Sequence, residues 1–178
     1  FINKMDRTGA DPFRVVRDMR EKLGDDAILM QLPIGAGDKF QGIIDLVPMR
    51  AIYFDGRDGE IVREEPIPEA LEDRAHDGRH QMLESLAMYS DELMELLLSD
   101  EPVPEELIHR VTRAAVQQQD ATPVFLGSAF RNKGVQLLLD AITRYLPSPL
   151  ERQITAKAWD SEEQTVLLEP NFDKPFVG

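Results

Sequence analysis

The chain has 178 residues, 33 acidic and 20 basic side chains, a net charge of −13 and no cysteine. That length supports one or two domains with a real core. The absence of thiols excludes disulfides and thiolate metal sites and fits a reducing compartment. No apolar run approaches the ~20 residues of a membrane-spanning helix and no secretory leader is visible, so a cytoplasmic chain without a membrane partner is expected.

In chain order, Phe1-Ile2 reads as the end of a buried strand. Asp11 is placed to cap a helix with Pro12 at its first position, and Phe13, Val16, Met19 and Leu23 recur on one face before Gly24 ends it. Ala27–Leu32, Phe40–Leu46, Ala51–Asp55 and Glu60–Arg63 read as strands, with Asp55-Gly56-Arg57-Asp58-Gly59 as a hairpin turn between the last two. Consecutive strands without intervening helices predict an antiparallel sheet. Pro66-Ile67-Pro68 then opens a long helix that Gly78 is expected to weaken. Ser90 caps a second helix through Leu98, and Pro104 opens a third toward Gln119. Met82, Met88 and Met94 are expected in the core. Thr122–Leu126 reads as a buried strand. Gly134–Leu146 reads as a helix with Val135, Leu138, Leu139 and Ile142 on one side, stopped by Pro147-Ser148-Pro149. Residues 150–170 are polar, lack clear periodicity and read as a linker containing Trp159.

Two short stretches carry chemistry. Asn3-Lys4-Met5-Asp6 follows the first strand end, and Gly127-Ser128-Ala129 follows the strand at Thr122–Leu126. A carboxylate such as Asp6 can accept guanine's N1–H and N2 amine together, a bidentate pair that adenine cannot supply. Asn3 has an amide to donate to the opposite base edge, and the Lys4 methylenes can lie along the ring face. Small residues at Ser128 and Ala129 let backbone N–H groups approach the guanine oxygen. An Asn-Lys-x-Asp string alone also reads as a solvated turn; its pairing with a Ser-Ala loop after a second strand is what points to a base site.

No Gly-x-x-x-x-Gly-Lys-Ser/Thr phosphate loop occurs. The one Asp-x-x-Gly match, Asp6-Arg7-Thr8-Gly9, overlaps the base-reading string, and Asp6 cannot serve both ends of a nucleotide. With Phe1 rather than Met at its start, the chain is expected to be an internal segment that recognises a base, has no catalytic residue and does not hydrolyse nucleotide alone. His76, His80 and Glu84 share a helical face where zinc is conceivable, but Gly78 interrupts them and the metalloprotease pattern is missing, so no metal site is assigned. Between Glu69 and Glu106, twelve carboxylates face only Arg74 and Arg79. Such a surface is either a solvated helical face or a dock for a basic protein, and it repels nucleic-acid phosphate.

Phe1–Asp11 resembles the fourth GTPase motif of the elongation factor G family, and Leu126-Gly127-Ser128-Ala129-Phe130-Arg131-Asn132-Lys133-Gly134-Val135-Gln136 is similar to its fifth. Gln31-Leu32-Pro33-Ile34-Gly35 and Phe40-Gln41-Gly42-Ile43-Ile44-Asp45-Leu46 also resemble the family. The resemblance implies an α/β fold: a partial P-loop GTPase core of strand–helix units (1–24 and 122–149) carrying an inserted α+β subdomain (25–121). After the linker, residues 171–178 would start a β-barrel domain. It implies GTP or GDP as ligand, contacted by Asn3, Lys4, Asp6, Ser128 and Ala129, with Mg2+ held by residues outside this stretch. The implied function is GTP-dependent movement of tRNA and mRNA on the ribosome. The ribosomal stalk protein is the implied partner of the acidic helices, through Glu84 and Asp91, with no direct nucleic-acid contact from the insertion. Release and ribosome-protection factors share the first motif, and a non-catalytic acidic interaction module is the reading from another class; a phosphate loop upstream of Phe1 separates the two.

Overall fold

The computed structural model describes residues 1–151, 154–158 and 161–168. They divide into one unit spanning Phe1–Tyr145 and a second from Leu146. In the first, α1 (Pro12–Asp18) is capped by Asp11, whose Oδ1 accepts the Arg14 N–H at 3.0 Å. It runs into a π-helical turn, Met19–Leu23, that ends at left-handed Gly24. The wider turn breaks the 3.6-residue period. Val16 is buried, whereas Phe13 and Leu23 face solvent, against the single face the sequence predicts; the π turn accounts for Leu23 and not for Phe13, which precedes it. The Phe13 ring instead lies 5.2 Å from the Arg74 guanidinium.

The expected strand at Ala27–Leu32 is two strands serving two sheets. β1 (Ala27–Leu29) pairs in parallel with β6 (Thr122–Val124), Ile28 opposite Pro123. β2 (Gln31–Ile34) opens an antiparallel meander with β3 (Gly42–Asp45), β4 (Arg50–Asp55) and β5 (Ile61–Glu65), in that order. Met30 is the joint: its N–H donates to Val124 O and its carbonyl accepts from the Leu46 N–H, both at 3.1 Å. On the other side of β6, Ile2 bridges Leu126 in parallel. The fold is thus mixed α/β, with parallel and antiparallel sheets as the sequence predicts.

Alternation along the strands sends neighbouring side chains to opposite faces. Ile44 and Ala51 join a cluster with Ile28, Met30, Leu32 and Leu46 beneath α2 (Glu69–Ala87) and α4 (Glu105–Gln118). Ile43, Ile52 and Phe54 join Met5, Val16, Phe40, Val124 and Leu126 in a second cluster. Each fully buried Leu or Ile side chain contributes about 1.5–3 kcal/mol.

Gly78 does not interrupt α2, which is continuous. A Cβ there would lie 2.9 Å from Leu32 Cδ1 and 3.4 Å from Leu46 Cδ2, so glycine lets helix and sheet approach closely. α3 (Asp91–Leu98) has its predicted cap, with Ser90 Oγ accepting the Leu93 N–H at 3.2 Å. Met82 is buried and Met94 packs against the core, but Met88, at the end of α2, is 74% exposed and is not a core residue. α5 (Val135–Tyr145) turns Ala141 and Tyr145 inward and leaves Leu139 and Ile142 exposed, rotated from the face read off the sequence.

In the second unit, the stretch 150–170 expected to be a linker carries a hairpin, β7 (Ile154–Ala158) with β8 (Ser161–Leu168), antiparallel and bulged near Lys157. Thr155, Val166 and Leu167 supply the β-branched and apolar residues a strand favours; the period-2 signal is short and broken by the bulge. Trp159 and residues 171–178, with the expected barrel start, lie outside the described residues.

Candidate functional site

The loop after Ile2 is built around Met5, which is fully buried. Lys4 adopts a left-handed conformation (φ 65°), which costs about 1–3 kcal/mol for a side-chain-bearing residue. Burial of Met5 offsets that cost by a similar amount. The Lys4 N–H is held by Asn3 Oδ1 at 2.7 Å, and the Arg7 N–H closes on Lys4 O at 3.0 Å. The result is a tight turn pinned by one apolar anchor, with Asn3 and Lys4 exposed and Asp6 half-buried.

The second loop lies beside it. Gly127 N–H donates to Ile2 O at 3.1 Å and Met5 N–H donates to Gly127 O at 3.0 Å. Gly127 tolerates no side chain: a Cβ would lie 2.2 Å from Lys133 O and 2.8 Å from the Phe1 ring. Ser128 and Lys133 exchange backbone hydrogen bonds of 2.9 and 3.0 Å across the loop neck, around the 3-10 turn Ala129–Arg131. Asn3 Oδ1 also accepts the Ala129 N–H, at 2.9 Å. One side-chain oxygen therefore joins stretches 126 residues apart.

The structure brings together all five residues singled out here: Asn3, Lys4, Asp6, Ser128 and Ala129. Asp6 is kept below the ordinary carboxylate range, chiefly by the Ser128 hydroxyl. Its own backbone N–H and Arg131 add to the effect, and partial burial opposes it. Ser128 Oγ is buried and has no partner of standard hydrogen-bond geometry, so its influence on Asp6 is that of a nearby dipole. Asp6 is accordingly an ionised acceptor at neutral pH. The Ser128 N–H is used by Lys133 O and the Ala129 N–H by Asn3, so a ligand oxygen that binds the Ala129 N–H takes it over from Asn3 Oδ1.

Three residues without an assigned role in the sequence reading also belong here. Arg131 Nε lies 3.5 Å from Asp6 Oδ2. Phe130, next to Ala129, is 95% exposed. Lys133 Nζ donates to Phe40 O at 3.1 Å. Phe130 did carry a signal, as a lone aromatic in a short polar loop; the Arg131 and Lys133 contacts depend on tertiary placement and left none.

Glu84 and Asp91 stand apart from this site, on α2 and at the first turn of α3, both exposed. Glu84 lies 3.5 Å from His80 one turn back, and Glu92 of α3 pairs with Arg110 of α4 at 2.5 Å. Among the described residues, no group of three or more His, Asp and Glu side chains is arranged to hold a metal ion. No helix among them is long and apolar enough to cross a membrane.

Residues 1–148 match the family model described as the elongation factor Tu GTP binding domain. Elongation factor G of Rhodopirellula baltica is 56% identical over 178 residues, 100% of this chain and 26% of that protein. Elongation factor G 1 of Syntrophus aciditrophicus is 45% identical over 177 residues, 99% of this chain and 26% of that protein. A crystal structure of a Thermus thermophilus protein superposes with a TM-score of 0.70 and 31% identity, covering 84% of this chain and 22% of that one. The chain thus spans about a quarter of the length of the curated relatives it matches.

Proposed function

The chain belongs to the elongation factor Tu GTP-binding domain family, and from that premise we propose that it supplies the guanine-reading part of a ribosome-dependent translational GTPase acting in translocation. The observation that carries this reading is the Asn3–Ala129 hydrogen bond, which holds the turn bearing Asp6 beside the Ser128-Ala129 loop. Ionised Asp6 accepts guanine N1–H and N2–H. Guanine O6 takes the Ala129 N–H, displacing Asn3 Oδ1, and the Asn3 amide turns to the base's other edge. The Lys4 stem covers one ring face, and exposed Phe130 is free to stack on the other. Adenine would leave Asp6 unpaired, the kind of loss that discriminates strongly.

Phosphoryl transfer rests on charge and positioning around the phosphates. This stretch has no phosphate loop. Hydrolysis is therefore assigned to the parent protein and not to these residues alone. The exposed carboxylates of α2 and α3, Glu84 and Asp91 included, form the docking face for a basic domain of the ribosomal stalk.

The base-reading assignment is tested with Asp6→Asn in a full-length protein carrying this stretch. Asparagine replaces an acceptor with a group that also donates, and xanthine has a carbonyl where guanine has its amine. The variant should exchange its preference for guanosine diphosphate for one toward xanthosine diphosphate. Unchanged relative affinities would remove Asp6 from the site.

A further inference from the structure

The two halves of the base site are joined a second time, from behind, by a segment of the antiparallel sheet. The 3-10 turn Gly37–Lys39, between β2 and β3, donates its Gly37 N–H to Met5 O at 3.1 Å. Phe40, which ends that turn, shares the apolar cluster of Met5 and is 4% exposed. Its carbonyl accepts from Lys133 Nζ. The Lys133 backbone in turn makes both hydrogen bonds to Ser128 that close the neck of the second loop. A chain of contacts thus runs from Met5 through residues 37–40 to the Lys133 ammonium and on to Ser128-Ala129. The Asn3–Ala129 bond closes the ring at the front.

We infer that Lys133 is a positioning residue for guanine O6, its ammonium setting the depth of the Ser128-Ala129 loop against the turn that anchors Met5. The inference rests on the guanine-reading assignment above. Its physical content is that the front contact cannot do this work with ligand bound. Once O6 takes the Ala129 N–H, the Asn3–Ala129 bond is lost, and Lys133–Phe40 remains, beside the backbone bonds of Gly127 to Ile2 and Met5 and the Arg131–Asp6 contact, to tie the loop neck to the turn beneath the first loop. A charge-assisted hydrogen bond in a part-buried setting is about twice as strong as a neutral one. Gly59 at the β4–β5 turn, where a Cβ would lie 2.5 Å from Arg131 O, abuts the loop only as closely as a glycine allows. Loss of the ammonium therefore lets the loop move outward, away from O6.

The test is nucleotide binding to a full-length protein carrying Lys133→Met, which keeps the aliphatic stem, beside Lys133→Arg, which restores a cation. The probes are guanosine, inosine and 6-thioguanosine diphosphates. Inosine lacks the amine read by Asp6; 6-thioguanosine keeps that amine and N1–H but replaces O6 with a poorer acceptor. Lys133→Met should bind guanosine diphosphate about tenfold more weakly. Affinity for the 6-thio analogue should change little, so that preference shrinks, while the guanosine-to-inosine ratio stays as in wild type. Lys133→Arg should recover most of the loss. Equal weakening toward all three ligands, or no weakening toward guanosine diphosphate, overturns the role. A failed Asp6→Asn switch in the same assay would instead count against the guanine-reading assignment itself.

Discussion

At the residue scale, Asp45 shows how strongly burial acts on one carboxyl. It ends β3 beside a cavity of about 420 Å³ lined also by Glu64, Glu105, His109, Arg144 and Tyr145. Burial is the main cause that pushes its pKa up to about 6; the Val47 N–H, donating to Oδ1 at 3.0 Å, and Arg144 pull it down, while Glu105 and Glu64 push it further up. Between pH ~4 and ~6 the folded chain keeps a proton that the unfolded chain has released. Ionising Asp45 therefore costs stability as pH rises through that window, and the cost stays in full above it. Asp45→Asn retains an acceptor for Val47 and cannot ionise. It should be more stable than wild type by about 1–3 kcal/mol at pH 7.5, with the gain vanishing near pH 4. Thermal unfolding at the two pH values checks this; a gain equal at both would point to packing rather than charge.

At the scale of elements, the contact of α2 with the sheet turns on Gly78. Gly78→Val places branched atoms against Leu32 and Leu46 and should cost about 1–3 kcal/mol. For Gly78→Ala the helix-propensity gain of up to ~1 kcal/mol nearly offsets a small shift of the Leu32 methyl. Denaturant midpoints of both variants measure this, and a valine variant as stable as wild type would mean the approach is looser than described. The same glycine marks a limit of sequence reading. Its propensity says weak helix, and only the neighbouring strands explain why the helix needs it. The meander, the Ser90 cap and the β1–β6 strand runs were legible because alternation and capping are local. The split at Met30 was not, because nothing in Ala27–Leu32 tells which sheet each half joins. The rotated faces of α1 and α5 were lost for a similar reason: a π turn and an outward Leu139 are set by packing, not by period. At the site, the five named residues were legible as two strings. Their mutual hydrogen bond was not, since it depends on folding across more than a hundred residues.

At the scale of the whole molecule, charge is segregated. The strongly acidic helices contribute none of the residues of the proposed base site, and Glu84 and Asp91 are exposed on α2 and α3. Exposed charges act over roughly 8–10 Å at physiological ionic strength, so a docking face of this kind works mainly on association rate. Reversing both in Glu84→Lys/Asp91→Lys should slow binding of the stalk domain at low salt by about tenfold or more, with a smaller difference at high salt. Guanine affinity should be unchanged. Stopped-flow association at two salt concentrations is the measurement, and equal rates for both proteins would reduce this surface to a solvated face.

The Asn3–Ala129 bond also sets a schedule. At about 5–20 residues per second, Asn3 is synthesised roughly 6–25 s before the residue whose N–H it holds, 126 positions later. The meander from Gln31 to Glu65 pairs neighbour with neighbour, and all of its residues are made within that interval. Phe1-Ile2 has to wait for Leu126 before its bridge can form. The two loops joined by Asn3 thus take shape later than the meander, once the chain beyond Leu126 has been made, and until then the proposed base site is incomplete.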